Sequence, residues 1–257
     1  MFVSGHRFRV PVGIPQAFDQ PLRSGCTALV LSIPGGFSHL VEPGRGYGMH
    51  QNSDEYSFIA RLYDPVTAWA LDPLRRELAA LAVACGADRA LDVCCGTGRQ
   101  CLFLARSGIP ATGLDISPAM LAQAARQAGP HTLVLGDAMC LPFADGAFQF
   151  SSIAMALHEK HPSARPGIVA EMLRVTAPGG LVVVVDYLVP RAPGQTFLGL
   201  GIRAVERLAG REHHTHYSEF MAGGGLEGLL RNLGIIPCEI RLRFLGLAGM
   251  ALIRRPG

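Results

Sequence analysis

From Ala90 to Tyr187 the chain alternates short apolar runs with helix-patterned segments, and this alternation limits the fold more than any other feature. Strands are predicted at Ala90–Cys94, Ala111–Asp115, Thr132–Gly136, Phe148–Ala154 and Leu181–Tyr187. Helical segments fit between them at Gly98–Ser107, Pro118–Ala128 and Pro166–Val175. Strand–helix–strand repeats of this length imply a parallel sheet with helices on both faces, an α/β architecture. The four-valine run Val182–Val185 has no polar side, as a strand covered on both faces requires. Beyond it, residues 195–225 break the alternation. A helix at Leu226–Leu233 then precedes two strands, Ile235–Leu242 and Leu247–Arg254, whose short link makes them antiparallel.

The flanks read differently. In residues 1–49, Pro11, Pro15, Pro21, Pro34 and Pro43, together with Gly35-Gly36 and Gly44-Arg45-Gly46, interrupt each element before it reaches useful length. The expectation is a poorly ordered extension, or a misread start with Met49 as the true first residue; a tail packed over the core is the alternative. Residues 50–257 then form the globular domain. Helices are expected at Ile59–Tyr63 and, after Asp64-Pro65, at Val66–Ala82, where Leu71, Leu74, Leu78 and Leu81 recur at helical spacing.

Charge and cysteine content exclude several function classes. Lys and Arg number 23 against 20 Asp and Glu, a net +3 without a basic block, which speaks against DNA as a partner. No apolar run approaches the roughly 20 residues of a membrane span; Ala28–Ile33 is far too short, and no cleavage pattern of a secretory signal follows it. The seven cysteines are odd in number and lack CxxC spacing, which argues against a disulfide framework and a zinc ribbon and fits a reducing cytoplasm. Oligomeric state is not fixed by these features.

Chemistry concentrates where the first strand ends, in Leu91-Asp92-Val93-Cys94-Cys95-Gly96-Thr97-Gly98. Glycines between a strand and a helix let a ligand approach backbone N–H groups. The dinucleotide fingerprint wants a third glycine where this chain has Cys101, which weakens a nicotinamide reading. Three acids accompany the turn. Asp115 closes the second strand, where a carboxylate can take both ribose hydroxyls. Asp92, inside an apolar strand, needs a partner such as a ligand ammonium. Asp137 follows the third strand and is placed to accept from an adenine amino group. Three acids without a phosphate-binding lysine suggest a nucleoside bearing positive charge, as S-adenosylmethionine does.

The runs LDVCCGTGRQ, GLDISPAM, GDAMCLPFADGAFQF and LRVTAPGGLVVVVDY resemble the successive motifs of class I S-adenosylmethionine-dependent methyltransferases. The LPFADGAF segment, Ala156-Leu157-His158 and GLEGLLRNLG further resemble the ubiquinone/menaquinone-biosynthesis C-methyltransferases. The resemblance implies a Rossmann-like, doubly wound, seven-stranded sheet whose last strand is antiparallel. It also implies S-adenosyl-L-methionine as cofactor and S-adenosyl-L-homocysteine as product. By position, Asp92 would meet the ammonium, and Cys95, Gly96, Thr97 and Gly98 would form the backbone cradle. Asp115 would bind the ribose, Ile116 and Met120 would pack on the adenine, Asp137 and Ala138 would meet its amino edge, and Met155 would line the methyl-bearing side. Cys94-Cys95 and Arg99 depart from the family pattern.

Methyl transfer from a sulfonium is a direct displacement, so proximity and exclusion of water carry most of the catalysis. If the acceptor must lose a proton, His158 is the first candidate base, with an ordinary pKa near 6.5. Tyr187, Tyr63 and His216 are further acceptor-side candidates, and Tyr56 or Tyr63 could cap the cofactor or anchor a helix. Residues 190–225 are expected to form a lid over a small, hydrophobic acceptor, since they interrupt the fold pattern and carry many apolar side chains. The cysteines of the turn read as packing residues. His213-His214-Thr215-His216 lacks a clear fourth ligand, so no metal is expected. The competing functions are a cofactor-binding protein without turnover and an NAD(P)-dependent oxidoreductase.

Overall fold

The computed structural model describes residues 26, 28–33, 37–40, 60–127, 129, 131–208 and 210–257. Its strands are β1 (Ala28–Ile33), β2 (Phe37–Leu40), β3 (Ala90–Val93), β4 (Ala111–Asp115), β5 (His131–Gly136), β6 (Phe148–Ala154), β7 (Thr176–Tyr187), β8 (Glu239–Arg243) and β9 (Ala248–Arg254). They form one sheet in the order β2-β1-β5-β4-β3-β6-β7-β9-β8. Strands β3 to β7 are parallel to one another. The last strand, β9, runs antiparallel to β7, and β8 runs antiparallel to β9. The expected doubly wound sheet is therefore present, but with nine strands among the described residues rather than seven.

The two additional strands come from the segment expected to be poorly ordered or misread. β1 pairs antiparallel along β5, from Ala28 opposite Gly136 to Ile33 opposite His131, and β2 folds back on β1. The reason is physical: β5 would otherwise present an open row of N–H and C=O groups, and an apolar run too short for a membrane is long enough to satisfy that edge. Cys26 and Cys140 are joined by a disulfide, with Cα atoms 5.6 Å apart, so the expectation of unpaired cysteines is corrected at this pair. Their separation of 114 residues gave no sign of it. Tyr56, the other parts of residues 1–59 and the question of Met49 as first residue lie outside the described residues.

Two apolar layers sandwich the sheet, and strand alternation sorts side chains between them. Val182 and Val184 join one layer with Leu91 and Val93; Val183 and Val185 join the other with Ala90. The second layer is covered by α1 (Ala60–Ala84), α2 (Arg99–Arg106) and α3 (Pro118–Ala124), through residues such as Leu78, Leu104 and Leu121. The first is covered by α4 (Ala164–Val175), α6 (Arg211–Ala222) and α7 (Gly225–Asn232), through Val169, Phe220 and Leu226. α5 (Pro193–Leu208) completes the 190–225 segment ahead of α6. Helix α1 runs unbroken where two helices were expected, although Pro65 and Pro73 each delete one i→i−4 hydrogen bond. Its C-terminal half outweighs that loss by burying Leu74, Leu78, Ala79 and Ala82. Among the described residues no helix is long and apolar enough to cross a membrane.

Candidate cofactor and acceptor site

The chain leaves β3 through Cys94 and enters α2 at Gly98, and this turn floors a cleft at the C-terminal ends of β3, β4 and β6. Gly98 has φ +72°, and a Cβ there would lie 2.8 Å from the Ala124 Cβ, so glycine lets α3 pack against the turn. Gly96, at φ +53°, is different: a Cβ would meet only the Met120 sulfur at 4.0 Å. Its missing side chain leaves room for a ligand. Cys94 and Met155 also have positive φ, +56° and +53°, a conformation that costs a non-glycine residue about 1–3 kcal/mol. Both line this cleft. Cys101 needs no glycine because the clearance is made on β4, where a Cβ at Gly113 would lie 2.8 Å from the sulfurs of both Cys95 and Cys101.

Asp115 is bound to the turn rather than to a basic side chain. Its Oδ2 accepts from the Gly96 amide at 2.7 Å and its Oδ1 from the Ser117 amide at 2.9 Å. Burial raises its carboxyl above the ordinary range, against those two backbone bonds. Asp92, on β3, is buried and accepts from Ser152 Oγ at 2.8 Å. Burial pushes its carboxyl up to about 7. Ile116 is 53% exposed although apolar, and Met120 is held beneath it on the first turn of α3, capped by Ser117 Oγ at 3.2 Å. Together they offer an apolar surface at the mouth of the cleft.

Of the predicted cofactor residues, Asp92, Cys95, Gly96, Asp115, Ile116, Met120 and Met155 line this one cleft. Thr97 instead donates to Asp64 Oδ1 at 2.9 Å and so fixes the turn to α1. Asp137 is exposed and accepts from the Met139 amide at 2.8 Å, and Ala138 is buried in the apolar layer; neither is a lining residue. Arg99, the departure after Gly98, clasps Asp72 on α1 with two bonds of 2.8 and 2.7 Å. Arg99 holds the Asp72 carboxyl down at about 2. Sequence reasoning missed Arg75, Gln100, Glu159 and Lys160, all lining residues, and Lys160 corrects the expectation that no lysine stands here. Lys160 pairs with Glu159 at 2.6 Å, and Arg75 with Asp72 at 2.9 Å. The cysteines are poor nucleophiles. Burial pushes the Cys94 thiol up to about 12, and Cys95 is raised by its contact with Cys101 and by burial.

His158 lies beside this cleft, on a 3₁₀ turn after β6, in a nest of carboxylates. Its Nδ1 donates to Asp186 Oδ1 at 2.8 Å, while Asp186 Oδ2 accepts from the amides of Leu157 and His158. This leaves Nε2 facing Glu206 of α5, whose Oε1 is 3.7 Å away. His213 of α6 bonds the other Glu206 oxygen, and the Tyr187 hydroxyl donates to Glu206 Oε1 at 2.8 Å. Burial opposes the charge on His158, yet Asp186, Glu159 and Glu206 outweigh it and raise its pKa. Burial and Glu206 push the Tyr187 phenol far above its ordinary range, so it is no base. His216 Nδ1 donates to the Glu159 carbonyl at 3.0 Å and serves to hold α6. Tyr63 lies on α1, and its side chain is outside the described residues. Asp186, Glu206 and Glu159 were not foreseen; the one signal was an acid closing a run of valines.

A family model described as a methyltransferase domain matches residues 90–180. A demethylmenaquinone methyltransferase of Geobacillus kaustophilus is 30% identical over 237 residues, covering 79% of this chain and 98% of that protein. A demethylmenaquinone methyltransferase of Beutenbergia cavernae is 36% identical over 156 residues, covering 58% of this chain and 64% of the relative, just under two thirds of its length. Among solved structures, a Burkholderia thailandensis 1,6-didemethyltoxoflavin-N1-methyltransferase superposes with a TM-score of 0.52 at 15% identity, covering 89% of this chain and 99% of that one. This last likeness concerns the fold. The chain belongs to the class I S-adenosylmethionine-dependent methyltransferases, in the demethylmenaquinone methyltransferase family.

Proposed function

We propose that the protein transfers the methyl group of S-adenosyl-L-methionine to a small hydrophobic acceptor of the demethylmenaquinone kind, releasing S-adenosyl-L-homocysteine. The observation that carries this reading is the convergence of Asp92, Asp115, the open Gly96 turn and the Ile116–Met120 surface on one cleft. The residues suit the cofactor: open space before Gly96 admits a nucleoside, and two buried carboxylates favour a cation over a pyrophosphate. When bound, the cofactor supplies a methyl group on a positively charged sulfur.

The chain's own work is positioning and proton handling. Asp115, already oriented by two amides, keeps lone pairs for the ribose hydroxyls. Asp92 offers its carboxylate to the ammonium, and Ile116 with Met120 covers the adenine. Met155, held at positive φ by its amide bond to the Val185 carbonyl at 2.8 Å, forms the wall toward the acceptor. His158 is oriented by its Nδ1 bond to Asp186; in the neutral form, which its raised pKa confines to higher pH, Nε2 takes the acceptor's proton, and α5 and α6 cover it and exclude water.

The test is transfer of labelled methyl from S-adenosylmethionine to reduced demethylmenaquinone. Wild-type protein is expected to label the lipid. His158→Ala should lower turnover about a hundredfold with cofactor affinity unchanged. Absence of labelled product with wild-type protein overturns the reading; equal turnover in the variant removes His158 from it.

A further inference from the structure

Of the 23 basic residues in this chain all but one are arginine. The exception, Lys160, lines the cleft. The arginines packed around the site act as clasps. Arg99 grips Asp72 with two bonds, and Arg165 donates to the carbonyls of Leu157, His158 and Lys160 at 3.0, 3.3 and 3.0 Å. Arg165 thereby fixes the backbone from which the His158 and Lys160 side chains both leave. An ammonium differs from a guanidinium: it is a compact charge with three donors on a flexible stem, and it can serve two acceptors at once.

Lys160 closes the 3₁₀ turn that carries His158. Its Nζ pairs with Glu159 at 2.6 Å, and its side chain is 24% exposed. Its charge reaches the turn after β3, where it opposes the upward push of burial on the Cys94 thiol and the Asp115 carboxyl. The other cation lining the cleft, Arg75, is bonded to Asp72 of its own helix at 2.9 Å. Lys160 is thus the cation that shares a turn with the candidate base.

A hydroxyl that gives its proton to His158 Nε2 keeps the bonding electron pair on oxygen and becomes an anion. Among Asp92, Asp115 and Glu159 such an anion is costly unless a cation meets it. We propose that Lys160 is a catalytic residue that binds the acceptor's oxygen as it becomes an anion, with Nζ shared between Glu159 and that oxygen. This inference rests on the reading of His158 as base to a hydroxyl-bearing acceptor. It deepens that reading by naming an anionic ring oxygen as the group that the acceptor side selects.

Two naphthoquinones test it, titrated by calorimetry into protein saturated with S-adenosylhomocysteine. 2-Hydroxy-1,4-naphthoquinone is an anion at neutral pH; its 2-methoxy ether is neutral and of similar shape. Wild-type protein is expected to bind the anion more tightly. Lys160→Met should weaken the anion about tenfold or more and leave the ether within about twofold, while Lys160→Arg, which keeps the charge, should hold most of the anion's affinity. Because the chain has no other lysine, acetylating the folded wild-type protein should reproduce the methionine variant and leave Lys160→Arg unaffected. That arm decides the matter if the methionine variant does not fold. Equal weakening of both ligands, or of neither, overturns the inference, as does wild-type protein that prefers the ether or binds neither. Methyl transfer by the same wild-type protein to reduced demethylmenaquinone would then leave the proposed function standing without this role; absence of transfer ends that function, and the role of Lys160 with it.

Discussion

Asp92 is a buried acid in the middle of an apolar strand, and its cost and its use are linked. Burial lifts its carboxyl from 3.8 to about 7, although Ser152 and Arg75 pull the other way. Because the folded value lies above the unfolded one, the protonated group favours the fold. Its contribution is complete below about pH 4 and is lost as pH rises through 7, on the order of 4 kcal/mol in all. Asp92→Asn should therefore unfold at higher urea than wild type at pH 8, by a few kcal/mol, with the gain vanishing toward pH 4. The same variant should bind S-adenosylhomocysteine about tenfold more weakly. A stability difference that does not change with pH would contradict the burial of this charge. Asp92 and Asp115 were legible in the sequence because acids interrupt or close apolar strands. Gln100 was not, because helix periodicity marks a side chain as inward without saying what it meets. Asp137 follows β5, two strands away from β3, and its Oδ1 accepts from the Met139 amide.

At the scale of elements, the parallel strands and their helices were readable because two-sided burial leaves a recognisable run such as Val182–Val185. The β1–β2 hairpin was not readable, since its value depends on an edge of β5 that exists only once the sheet has formed. The 190–225 segment forms α5 and α6, and we infer that these close over His158 as a lid held by Glu206 and His213. Its grip depends on pH. With the His158 pKa raised by Asp186, Glu159 and Glu206, the stabilisation is full below pH 6.5 and is lost as pH rises through the raised value. After correction for intrinsic rates, amides of α5 should exchange faster above that value than at pH 6, and Glu206→Gln should flatten the dependence. Equal protection of α5 across this range would contradict the latch.

Across the whole molecule, the sheet separates two tasks. On one face α1 and α2 bring Arg75 and Gln100 to the turn after β3; at the same edge of the sheet, where β6 and β7 end, His158 and Asp186 meet α5 and α6. Gly96 and Met155 both line the cleft, and on the proposed reading a methyl donor held there faces an acceptor covered by α5 and α6. We propose that the acid-rich, glycine-floored cleft takes a cationic nucleoside, and thermal unfolding with two cofactors tests this most directly. At a hundredfold excess over Kd, S-adenosylmethionine should raise the melting temperature by about 5–10 °C, and NADH should leave it unchanged. Asp115→Ala should lose most of that rise at the same ligand concentration. A rise with NADH and none with S-adenosylmethionine would contradict the assignment of this cleft.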